Sequence, residues 1–97
     1  METPDRWIVI KINDIEKVFA SWYGGYANAP HWRLNSGIER TEENDEYFYF
    51  HGYSGSCYEC KKSNEGVAGM FNKAAIEDIM KKIKDSGNHV EIINKTK

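Results

Sequence analysis

The apolar residues of this chain change period once, and that change fixes the class of fold open to it. Ahead of Ser63 they recur mainly at every second position; beyond Gly66 they recur at every third and fourth. A period of two sends side chains to alternate faces of a strand, whereas a period near 3.6 gathers them on one stripe of a helix. Trp7-Ile8-Val9-Ile10-Lys11-Ile12 is rich in β-branched residues, with Ile8, Ile10 and Ile12 on one face. Asn13-Asp14 marks a turn. Glu16 to Tyr23 then alternates, with Val18, Ala20 and Trp22 on one side and Phe19, Ser21 and Tyr23 on the other. The two segments predict a β-hairpin.

Gly24 to Trp32 holds two glycines and a proline and is expected to be a long loop. A third strand is expected over Ser36 to Thr41, followed by an acidic turn at Glu42-Glu43-Asn44-Asp45-Glu46. Tyr47-Phe48-Tyr49-Phe50-His51 is the clearest strand, with Phe48 and Phe50 opposed to Tyr47, Tyr49 and His51. Gly52-Tyr53-Ser54-Gly55 bends the chain, and Ser56 to Lys62 continues the meander. Ser63-Asn64-Glu65-Gly66 breaks the β pattern. From about Val67 to Lys84, Phe71, Ala75, Ile76, Ile79, Met80 and Ile83 form a helical apolar stripe. Lys81, Lys82 and Lys84 suit the negative end of the helix dipole, and Ser86-Gly87 stops the helix. Val90 to Ile93 is a candidate final strand.

The expected fold is a single α+β domain over residues 1–97: an antiparallel sheet of five or six strands, hairpin plus meander, with one amphipathic helix packed on one face. A chain of 97 residues supports one modest core. The Ile8/Ile10/Ile12 row and the Phe48/Phe50 row should both meet the helix stripe. The tyrosine face is then left partly open, which points to a homodimer.

Charge excludes one class of partner. Thirteen basic residues against 15 acidic give a net charge of -2, without the basic surplus that phosphate neutralisation needs, so nucleic acid is not expected. The longest apolar stretch is Trp7 to Ile10, far short of the roughly 20 residues that cross a bilayer. With no signal-peptide pattern at Met1 to Arg6, a cytosolic protein is expected, away from membranes. Cys57 and Cys60 form a C-x-x-C pair inside a strand-like segment, where residues three apart face opposite ways. Two thiols fall short of the four ligands of structural zinc, and a redox pair belongs at a helix N-terminus. They are read as ordinary reduced thiols, with no metal and no cofactor expected.

Aromatic residues are what the chain has in excess: three Trp, six Tyr and four Phe, many of them beside glycine. In Ser21-Trp22-Tyr23-Gly24-Gly25-Tyr26, three rings surround two glycines. Glycine allows close backbone approach and rings offer stacking area, a combination suited to a base, a sugar or a protein hot spot. The alternative is a turn whose rings cap the core. His31-Trp32-Arg33-Leu34-Asn35-Ser36-Gly37 adds an indole, a guanidinium and an amide, and Arg33 can grip phosphate or carboxylate unless it pairs with the acidic turn. His51-Gly52-Tyr53-Ser54-Gly55-Ser56 fails the nucleophile-elbow pattern, since serine stands at position 56 where glycine is required. It is better read as a loop of backbone N–H groups and hydroxyls that binds. The binding candidates are therefore Trp22, Tyr23, Gly24, Gly25, Tyr26, His31, Trp32, Arg33, Asn35, His51, Tyr53 and Ser54. The run Glu39 to Glu46 reads as a solvated acidic turn.

Trp22-Tyr23-Gly24-Gly25-Tyr26, then Trp32-Arg33-Leu34-Asn35-Ser36-Gly37-Ile38, then Tyr53-Ser54-Gly55-Ser56 resemble small accessory proteins of tailed bacteriophages, over about Trp7 to Lys62. The resemblance implies action in the cytoplasm of an infected bacterium and carries over no catalytic residue. Small early phage proteins commonly bind and inhibit a host enzyme or defence factor, and some sequester nucleotide signals. The expectation is a non-enzymatic inhibitor of a host protein, acting through Trp22, Tyr23, Tyr26, Trp32, Arg33 and Tyr53. The alternative is a sponge for a cyclic-nucleotide type of signal, stacked on Trp22 or Trp32 with phosphate at Arg33 and Gly24-Gly25. An enzyme using His51 or His31 as general base ranks third.

Overall fold

The computed structural model describes residues 1–25 and 27–97; Tyr26 lies outside the described residues. Among the described residues, seven strands and one helix follow in the order β1 (Arg6–Ile12), β2 (Ile15–Trp22), β3 (His31–Leu34), β4 (Ile38–Glu43), β5 (Tyr47–Gly52), β6 (Cys57–Lys61), α1 (Gly69–Asp85) and β7 (Val90–Ile93). A single 3-10 turn at Lys62–Asn64 separates the sheets from the helix. The expected α+β class, the antiparallel pairing and the single helix are all present. The strands divide between two sheets, ordered β3-β2-β1-β7 and β4-β5-β6.

Both faces of β1 and β2 are apolar, so their sheet becomes the middle layer. Ile8 and Ile10 with Phe19 form one cluster with Ile76 of α1 and Val90. Trp7, Val9, Val18 and Ala20 form a second cluster with Phe48, Phe50, Tyr58 and Cys60 of the three-stranded sheet. The Phe48/Phe50 row therefore meets Trp7 and not the helix, as had been expected of it, because the two sheets stack face to face. Ring contacts of Trp7 with Phe48 and Phe50, at centroid distances of 5.7 and 5.5 Å, knit this layer. The buried Trp7 indole donates to Lys61 O at 2.6 Å, so one side chain both fills the inter-sheet core and ties β1 to β6.

Two backbone features let the chain change layers. Asn13, at φ 54°, takes the left-handed conformation of the tight β1–β2 turn. Gly37, at φ 140°, carries the chain from β3 into β4, and a Cβ there would stand 3.0 Å from the Tyr53 ring. A bulge between Ile38 and Arg40 adjusts the β4 register. The outer edge of β6 is covered by the N-terminal segment, where Glu2 N donates to Cys57 O at 2.9 Å and Glu59 N to Glu2 O at 2.8 Å. Tyr47, Tyr49 and His51 line the outer face of β5, half-buried.

Glu42 and Glu43, expected in the acidic turn, instead extend β4 by pairing with Tyr49 and Phe48, and two further expectations fail at the element level. His31 and Trp32, expected in the loop, begin an edge strand that runs to Leu34, because Trp22, Ser21, Ala20 and Phe19 offer it a register partner at every position. Phe71 is exposed and outside the helix stripe, because Asn72 takes the inward position beside it.

Candidate functional site

β2 ends at Trp22, and the chain must reverse at once to lay β3 beside it. Gly24 makes the reversal: its φ is +81°, and a Cβ would lie 2.6 Å from Pro30 N, a position closed to every other residue. Tyr23 N donates to Asp5 Oδ2 at 3.0 Å, and Gly25 and Asn28 exchange backbone hydrogen bonds of 3.0 and 2.9 Å. Register then sets His31 opposite Trp22, and their rings stack at 4.5 Å with 8° between planes. The outcome is a cleft of about 330 Å³ lined by Asp5, Trp22, Gly24, Gly25, Asn28 and His31.

The sequence-predicted Trp22, Gly24, Gly25 and His31 thus meet, but in a setting unlike the one expected. One face of the Trp22 indole is already occupied by the His31 ring. A phosphate entering the cleft meets the Asp5 carboxylate, and among the described residues neither Lys nor Arg lines it. Arg33 points instead at Glu2, 3.9 Å away, in an exposed ion pair of little strength. It does not pair with the acidic turn, which the sequence had left open as an alternative to gripping a ligand.

Trp32 lies on the opposite face of the same strand, stacked on Phe19 at 5.5 Å with 25° between planes. That face also receives the start of α1. Ala68 N donates to Ser21 Oγ at 2.9 Å, and Asn72 Nδ2 donates to Trp22 O and Ala68 O at 2.9 and 2.8 Å. These bonds pin the first turn over the end of β2 and leave Met70 and Phe71 pointing away from the packed stripe. Arg6 Nε donates to Tyr23 Oη at 3.0 Å, holding the Tyr23 ring beside Gly69. Ser21, the register partner of Trp32, touches Ala68, so Trp32 stands about one strand spacing (~4.8 Å) from the helix anchor. Tyr23 (50% exposed), Trp32 (37%), Met70 (85%) and Phe71 (62%) therefore ring the N-terminus of α1. Met70 and Phe71 were not among the predicted site residues. Their signal was Gly69, which delays the helix start and puts them in its first turn.

The remaining candidates lie elsewhere. Asn35 is buried and structural: its N–H donates to Val18 O at 3.1 Å and its Oδ1 accepts from Val18 N at 2.9 Å. Tyr53 rests on Gly37 near Ile15, and Ser54 N and Oγ both reach Ser36 Oγ at 3.3 Å. Ile15 opens β2 and Trp22 closes it, so these groups are separated by a strand of eight residues, roughly 23 Å. Tyr53, expected to share one binding surface with Trp22, Tyr23, Trp32 and Arg33, thus sits at the far end from the other two segments. His51 faces outward from β5, its Nε2 2.8 Å from Glu42 Oε1 but without hydrogen-bond alignment. Tyr26 lies outside the described residues.

Cys60 is buried between the sheets while Cys57 faces the other way, half-exposed, and burial pushes both thiols up from their ordinary range. Burial likewise raises the Tyr58 hydroxyl, helped by the Glu2 carboxylate. Among the described residues, no group of three or more His, Cys, Asp or Glu is placed to hold a metal ion, and no helix is long and apolar enough to cross a membrane. Comparison of the chain with protein-family models, with curated proteins and with solved structures returns no match.

Proposed function

We propose that this chain is a non-enzymatic binding protein that docks on a partner protein through the aromatic rim around the N-terminus of α1. The observation that carries the reading is the exposure of Tyr23, Trp32, Met70 and Phe71 at one end of a domain this small. Tyr23 and Trp32 at the sheet end, with Met70 and Phe71 on the first turn of α1, suit a hot spot: rings bring contact area at little entropic cost, and methionine adapts to an irregular surface. Arg6 reaches the rim through Tyr23 Oη and supplies a charged group of the kind such interfaces use, whereas Arg33 lies on the opposite face of β3 from Trp32. The resemblance to phage accessory proteins suggests the partner class, a host enzyme or defence factor inhibited by occlusion in the bacterial cytoplasm.

Sequestration of a nucleotide signal has less support, given the acidic lining of the Trp22 cleft and the His31 ring already seated on the indole. The test is affinity capture from bacterial cells with the native chain and a Trp32→Ser/Phe71→Ser variant. A partner retained by the first and lost by the second, with unchanged circular dichroism, supports the rim. A partner held equally by both contradicts it.

A further inference from the structure

We infer that two copies of this chain pair through the outer edge of β7, joining their four-stranded sheets into one eight-stranded sheet. The argument begins with the backbone. Asn13 N donates to His89 O at 2.8 Å, so in this antiparallel ladder the main-chain groups of His89, Glu91 and Ile93 point toward β1. Those of Val90 and Ile92 point outward, where no strand pairs with them among the described residues. The C-terminal tail leaves this edge free: Lys95 N donates to Glu65 Oε2 at 2.8 Å, which turns the tail away.

Side chains along the edge select the occupant. Ile92 is 55% exposed, and beside it a groove of about 430 Å³ runs between β7 and α1, lined by Glu77, Met80, Lys81, Lys84, Asp85 and Ile92. Lys81 is already paired with Asp85 at 2.9 Å. Glu77 and Lys84 have no ion pair among the described residues, and they stand on opposite sides of Met80 along the same flank. A two-fold axis at Ile92 runs the two helices antiparallel and brings Glu77 of one copy toward Lys84 of the other, twice over. The flank is its own electrostatic complement, which is the mark of an isologous contact. The same axis pairs Ile92 with Ile92 and lets each outward Ile92 N–H donate to the other copy's Ile92 O. Glu91 then faces Ile93 of the other copy and not a second Glu91, avoiding a like-charge cross-strand pair.

Sedimentation equilibrium over a concentration series tests this. The expected result is a mass rising toward twice the 11.2 kDa of the chain. Glu77→Lys should raise the dissociation constant about tenfold, and Glu77→Lys/Lys84→Glu should restore it. Ile92→Pro should be monomeric, because it removes an outward N–H while leaving the β1 ladder its bonds. Should that variant fail to fold, the charge pair, on exposed helix positions, decides alone. A monomer at every concentration overturns the proposal, and so does a dimer indifferent to Glu77→Lys.

Discussion

Cys57 and Cys60 differ by one strand face, and that difference sets their chemistry. Iodoacetamide should modify Cys57 in the folded protein and reach Cys60 only in denaturant, as peptide mass spectrometry would read directly. The buried Cys60 thiol also makes a prediction about pH. Burial favours the neutral form, so the folded chain holds this proton above the ordinary value of 9.0. Its contribution is therefore fully present below about pH 9 and is lost as pH rises toward the folded value. Urea midpoints should fall on the alkaline side, and Cys60→Ala should flatten that fall; equal slopes in the two proteins would contradict the assignment. Gly24→Ala forces a Cβ against Pro30 at a left-handed φ and should cost on the order of 1–3 kcal/mol, measured by urea denaturation. The need for glycine there was legible from the Gly24-Gly25 pair. The Trp22–His31 stack was not, because it depends on a four-residue strand that follows Pro30 and carries no pattern of its own.

At the scale of elements, the helix separates two kinds of apolar residue that periodicity alone confuses. Ile76 is buried against Ile8, Ile10 and Phe19, so Ile76→Ala should cost about 2–4 kcal/mol. Phe71→Ser should change stability by no more than about 0.5 kcal/mol, since the ring is exposed. Equal losses for the two would return Phe71 to the core. The sequence stripe misled here because a polar residue, Asn72, holds the inward position through its bonds to Trp22 O and Ala68 O. The strands were legible where one face alone is buried, as in Tyr47 to His51. The second sheet was signalled only by the unbroken run Trp7-Ile8-Val9-Ile10, which marks a strand covered on both faces. Alternation within that run shows one apolar face and hides the other.

Over the whole molecule, the three layers give the domain two unlike ends. One carries the helix start, Tyr23, Trp32, Met70 and Phe71; the other carries Tyr53, Ser54 and Ile15 around Gly37. Sequence proximity had pooled residues from both ends into one surface, because a list of loops carries no information about which end of a strand each loop closes. Pairing through β7 would leave both aromatic rims at the outer flanks of the joined sheet, free for two partners. The most direct measurement is photo-crosslinking in bacterial cells, with a benzophenone amino acid placed at position 71 in one chain and at position 53 in another. The rim account predicts a discrete adduct with one protein from position 71 and none from position 53. An adduct from position 53 alone would place binding at the opposite end and contradict it.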